Sequence, residues 1–219
     1  MIQLRARDMS ATRIAASTLG VCAGISGLDH GFFEALQGNK ATDGLVVQAI
    51  GPDQRMWVHG TEEAFTVVPN FLATGILAIA AGLALIVLSL FFLDRRRGAS
   101  SFAQLGALLF LVGGGVAQVW FVMLGWAVAT RIGRPPARLG RLRISRALAG
   151  HWAVLLAVSV VLYLIALEIA IAGFVPGVSD PSLLLAICWS SLGVMLVLLV
   201  LAIDGGFAYD LERSDTSAS

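Results

Sequence analysis

Residues 101–130 read SFAQLGALLFLVGGGVAQVWFVMLGWAVAT. Asp94-Arg95-Arg96-Arg97 precedes this apolar block, and Arg131, Arg134, Arg138, Arg141, Arg143 and Arg146 follow it. As one membrane span, the block would put the two arginine-rich loops on opposite sides of the bilayer, against the preference of arginine for the cytoplasmic side. Gly113-Gly114-Gly115 lies in its middle. Each glycine costs a helix interior about 1 kcal/mol relative to alanine, whereas three in a row suit a tight reversal. The block therefore reads as a hairpin of two short helices, about 98–112 and 116–132. At 1.5 Å per residue these are about 23–26 Å long, short for a span but tolerable with local thinning. A re-entrant pair is the variant and has the same sidedness.

Working outward, the second span runs from about Asn70 to Leu93, with Pro69 at its start, where a missing N–H costs little. The first runs from about Ile14 to Leu36, and the outer loop between them covers 37–69. Beyond the arginine-rich loop, a fifth span covers about 147–174. The turn Pro176-Gly177-Val178-Ser179-Asp180-Pro181 leads to a last span at about 182–203, with a polar tail from Asp204. The expected fold is all-α: a single polytopic transmembrane helical bundle of about six helices, N-in/C-in. Every arginine-rich segment then faces the cytoplasm. The opposite side carries Lys40 and Arg55 against Asp43, Asp53, Glu62, Glu63 and Asp180.

Composition agrees. Of 219 residues, 58% are hydrophobic and 13% charged, where a soluble domain is about a quarter charged. The apolar residues come in long runs, so the main partner is the lipid bilayer. The basic clusters abut these runs and suit anionic headgroups better than nucleic acid. Cys22 and Cys188 both lie inside apolar runs, which argues against a disulfide framework or a zinc knuckle. Arg5, Arg7 and Arg13 before an apolar run resemble the start of a signal peptide, but the run continues to about Leu36, so it reads as a retained span.

The chemistry concentrates at the outer end of the first span, in Leu28-Asp29-His30-Gly31-Phe32-Phe33-Glu34-Ala35-Leu36-Gln37-Gly38-Asn39. Cys22, Ser26, His30 and Glu34 follow at i, i+4 steps and share one helix face. Imidazole and carboxylate one turn apart can ligate a transition-metal ion. His59-Gly60-Thr61-Glu62-Glu63-Ala64 echoes the pattern, and His59 with Glu63 would complete four ligands if that segment is helical. Glu168 lies among apolar residues in the outer third of the fifth span, and an intramembrane ionisable group is a functional candidate by default. The plainer readings are that His30 and Glu34 meet the headgroups, that Glu62 and Glu63 favour a helix N-terminus, that His59 is an exposed loop residue, and that Glu168 makes a packing hydrogen bond.

The run His30-Gly31-x-x-Glu34-x-x-Gln37-Gly38-Asn39 resembles a group of small bacterial integral membrane proteins. So do Val68-Pro69-Asn70-Phe71-Leu72-Ala73-Thr74-Gly75, Leu111-Val112-Gly113-Gly114-Gly115 and Ala129-Thr130-Arg131-Ile132. The matches cover roughly the first 130 residues. The resemblance implies a multi-pass protein of the bacterial cytoplasmic membrane, and no particular activity. In the group's pattern an acidic residue stands at Glu62 and proline where this chain has Glu63. It therefore favours His30, Glu34 and Glu62 as the core of any site.

The leading functional expectation is non-enzymatic: an outward-facing polar pocket of His30, Glu34, Glu62 and Glu168, with His59 and Glu63 as weaker members. It would bind a cation (a metal or a proton) or a small polar ligand for transport or sensing. A second expectation is a structural or partner-binding subunit, docking or self-associating through the small-residue face at Gly20 and Gly24. A metal-dependent membrane enzyme ranks third, because no nucleophile or cofactor motif accompanies His30 and Glu34.

Overall fold

The computed structural model describes residues 10–140 and 142–218; Arg5, Arg7 and Arg141 lie outside them. The chain is mostly helical. Four helices are long and apolar enough to cross a membrane: α1 (Ala11–Leu36), α2 (Phe71–Phe91), α7 (Trp152–Ala172) and α8 (Pro181–Ala218). Two shorter apolar helices, α3 (Gly98–Leu111) and α4 (Gln118–Ala129), flank the glycine run, and two brief ones, α5 (Ala137–Gly140) and α6 (Arg143–Ala149), follow it.

α1 is the central helix. In its most apolar window 72% is buried, against 28–33% in the other three long helices. Its neighbours can approach because small residues face one another. A Cβ on Gly31 would lie 2.6 Å from the Gly75 carbonyl oxygen, and one on Gly75 2.5 Å from that of Gly31. One turn pair further, Cβ atoms on Gly24 and Gly82 would each lie 2.8 Å from the other's carbonyl oxygen. The two pairs make α1 and α2 antiparallel, with glycines at the same seven-residue spacing on both. Gly20 closes the seam against Ser89 and Phe102. The small-residue face expected to receive a partner subunit is thus filled by the chain's own α2 and α3.

The expected reversal within 98–132 is present as a helix–turn–helix. Gly106 packs on Val122 and Phe102 on Gly125, contacts symmetric about the glycine run, so α3 and α4 run antiparallel. Gly113 and Gly115 both take φ of +95°, a conformation that L side chains resist. Gly114 closes α3 by donating its N–H to the Leu109 carbonyl oxygen at 2.8 Å.

Three segments differ from expectation. The 37–69 loop holds a short antiparallel hairpin, β1 (Val46–Gln48) with β2 (Glu63–Phe65), pairing Val47 with Ala64. Alternation puts Val47 and Ala64 inside and leaves Val46 exposed. The far edge of β2 takes the glycine turn as a third ribbon: Gly113 N–H donates to Phe65 O at 3.0 Å, Val116 N–H to Glu63 O at 3.2 Å, and Val67 N–H to Leu111 O at 2.9 Å. The second difference is at the end of α8, which does not stop at Ile203 but continues as helix past Asp204. Gly205 and Gly206 there pack on Leu148 and Ala11, and Ser145 of α6 donates to Asp204 at 2.6 Å. Further along, Asp210 accepts from the Ala11 and Thr12 amides at 2.8 and 2.9 Å and caps α1. The 147–174 span begins later than expected because α6 breaks off at Gly150 before α7 starts.

Candidate functional site

The glycine turn is the roof of a buried polar cluster. Helical spacing puts His30 and Glu34 of α1 one turn apart beneath it, and Gln118 opens α4 beside it. Cβ atoms on Gly113, Gly114 and Gly115 would collide in turn with the Glu34 carboxyl, the Gln118 amide nitrogen and the His30 ring. Any other residue in the turn would occupy the space these side chains fill.

All three are almost fully enclosed: His30 is 4% exposed, Glu34 0% and Gln118 1%. Nδ1 of His30, both carboxyl oxygens of Glu34, and Oε1 and Nε2 of Gln118 make no hydrogen bond. Buried polar atoms are paired in the great majority of cases, so five orphans on three adjacent side chains are unusual. Thr74 of α2 lies beside the Glu34 carboxyl. Its hydroxyl hydrogen, however, goes to the Val112 carbonyl oxygen at 2.7 Å, and its oxygen lies 2.7 Å from the Thr66 hydroxyl. The carboxyl is left without a donor.

Glu62 reaches the cluster from the outer loop. Its Oε2 lies 3.8 Å from Nε2 of His30, and its side chain is 28% exposed. Burial, and then the neighbouring Asp29 carboxylate, push the Glu62 carboxyl up to about 7. Backbone pairing of β2 with the glycine turn fixes the position of Glu62, which immediately precedes β2.

Of the residues singled out from the sequence, His30, Glu34 and Glu62 come together. Glu168 does not join them: it is exposed on α7, on the face that carries exposed Leu164 and Ile165. His59 is exposed in a turn, its ring edge-on to Trp57 at 5.2 Å, and Glu63 is exposed on β2. The condition for a His59/Glu63 ligand pair, a helical segment, is therefore not met. Among the described residues, no three His, Cys, Asp or Glu groups are arranged to hold a metal ion.

The remaining polar residues of the His30–Asn39 and Val68–Gly75 runs serve the scaffold. The Gln37 amide donates to the Gln48 and Ala49 carbonyl oxygens at 2.9 and 2.7 Å, tying α1 to β1. Asn70 caps α2 by accepting from Ala73 N–H and donates to Asn39 at 2.7 Å. Sequence reasoning gave Asp29 no role, because it follows none of the i, i+4 steps through His30. Nothing in the sequence spacing links Gln118 to Glu34, which lies 84 residues earlier.

No protein-family model, curated protein or solved structure matches the chain.

Proposed function

We propose that the His30–Glu34–Gln118 cluster is an outward-facing binding site for a cation or a small polar ligand, serving transport or sensing in the bacterial cytoplasmic membrane. The observation that carries this reading is the set of five unpartnered polar atoms under the glycine turn. Leaving a buried carboxylate uncompensated costs several kcal/mol. A bound proton or cation removes that cost, and Gln118 offers both a donor and an acceptor to a guest.

The sidedness rests on the arginines. Arg95, Arg96, Arg97, Arg131, Arg134, Arg138, Arg143 and Arg146 lie in segments at the end where α1 begins. The positive-inside preference makes that end cytoplasmic, with six crossings and both termini inside. The enclosed cluster then lies toward the outer end of α1, with the partly exposed Glu62 between it and the outer surface. The intramolecular use of Gly20 and Gly24 disfavours docking through α1.

The test is potentiometric titration of the purified protein and of a His30→Ala/Glu34→Gln variant, with elemental analysis of both. The expected result is a difference in proton uptake between the two, without bound metal in either. Superimposable titration curves with no metal in either protein would remove the cation reading.

A further inference from the structure

Resting on that reading of the buried cluster, we infer that its ligand is the proton, which reaches Glu34 from the outer surface through Glu62 and His30. The three groups form a series of increasing burial. The Glu62 side chain is 28% exposed, His30 is 4% and Glu34 0%. Glu62 meets Nε2 of His30 at 3.8 Å, the only partner within ion-pair distance of Glu62 among the described residues. His30 has its other ring nitrogen free of hydrogen bonds, and Glu34 follows one turn along α1 with both carboxyl oxygens free.

Imidazole is the side chain suited to the middle position. It can gain a proton on one ring nitrogen while losing one from the other. Water protonates the Glu62 carboxylate, and the Glu62 carboxyl gives its proton to Nε2. The imidazolium then releases its Nδ1 proton to an oxygen of the Glu34 carboxylate. The net change is one proton moved from water to Glu34, with Glu62 returned to carboxylate and His30 neutral in its other tautomer, the remaining ring proton now on Nε2. Neither transfer has a hydrogen bond at rest: Glu62 lies 3.8 Å from Nε2, and His30 Nδ1 and the Glu34 oxygens are unbonded, so the route requires side-chain rotation at both steps.

The surroundings fit a guarded way in for cations. Asp29 of α1, Tyr163 of α7 and Cys188 of α8 lie within electrostatic reach of Glu62. Among the described residues no lysine or arginine is within ion-pair distance of Glu62 or His30. The route is set by main-chain bonds, since β2 is fastened to the glycine turn that covers His30 and Glu34.

Infrared difference spectroscopy tests this on the full-length protein in lipid. The carbonyl stretch of a protonated carboxyl shifts on transfer from H2O to D2O, and its loss in Glu34→Gln assigns it. We expect Glu62→Gln to retain the Glu34 band but slow its exchange on the order of 100-fold, the scale of a general acid–base contribution. Glu62→Asp keeps a titratable group and should exchange close to wild type, and Glu63→Gln should leave the rate unchanged. Unaltered exchange in a folded Glu62→Gln protein would overturn the route while leaving the buried site intact. If Glu34→Gln removes no band, no proton resides on Glu34, and the site's proton chemistry fails with the route.

Discussion

Gly113 stands directly over Glu34: a Cβ on the glycine would overlap both carboxyl oxygens. The backbone there has φ +95°, and Gly38 has φ +83° with nothing within 4 Å of a Cβ. Gly38→Ala therefore carries the backbone cost alone, about 1–2 kcal/mol. Gly113→Ala adds about 1–3 kcal/mol of overpacking. Thermal unfolding in detergent separates the two. Equal losses would mean that the carboxyl swings aside freely.

Asp210 satisfies two of the amides that open α1, and its Oδ2 also accepts from the Thr12 hydroxyl at 2.7 Å. Loss of such a cap costs about 0.5–2 kcal/mol. Asp210→Ala should lower stability by that amount and Asp210→Asn by less, because the amide still accepts. Limited proteolysis near Ser10 reads the fraying, and no change in cleavage would refute the capping role.

The paired glycines of α1 and α2 leave no room for a methyl group, because the obstructing atoms are backbone. Gly31→Ala and Gly75→Ala should each cost about 1–3 kcal/mol or more. Gly193 of α8 has nothing within 4 Å of a Cβ. Gly193→Ala should be neutral or stabilise by up to about 1 kcal/mol, the helix-propensity gain. The midpoints of detergent-induced unfolding rank the three.

Glu62 gives the folded protein a pH signature. Its carboxyl moves from 4.5 to about 7 on folding. Between those values the folded state holds more protons than the unfolded chain, so stability is greatest at the acid end and declines as pH rises through the window. Glu62→Gln should flatten the decline. Asp29→Asn should shift its upper limit downward, because the Asp29 carboxylate contributes to the rise. An identical pH–stability slope in wild type and Glu62→Gln would contradict this.

The helices were legible because lipid-facing segments must be long and apolar. The break at Gly113–Gly115 was legible because arginine sidedness and glycine propensity both demanded it. His30 and Glu34 were legible as one helix face. The β-hairpin was not, because Val46, Val47 and Gln48 show too short an alternation to stand out from a glycine-rich loop. The position of Glu168 was not legible, since its apolar neighbours in sequence say nothing about which side of α7 faces the bundle. Gly20 and Gly24 reveal a close helix approach without revealing whether the approaching helix belongs to the same chain. The extension of α8 was hidden because Asp204 and Asp210 look like tail residues until Ser145 and the α1 amides are placed against them.

The capping of α1 by Asp210 also imposes an order on biosynthesis. The two ends of this contact are 198 residues apart. When α1 leaves the ribosome its first amides have no carboxylate to bind, and they stay open until α2, α3, α4 and α7 have been made and inserted. Of the described helices the innermost is made first, yet its opening amides are among the last groups to be paired. Truncating the chain before Asp210 should therefore yield helices that insert normally but a protein that quality-control proteases clear.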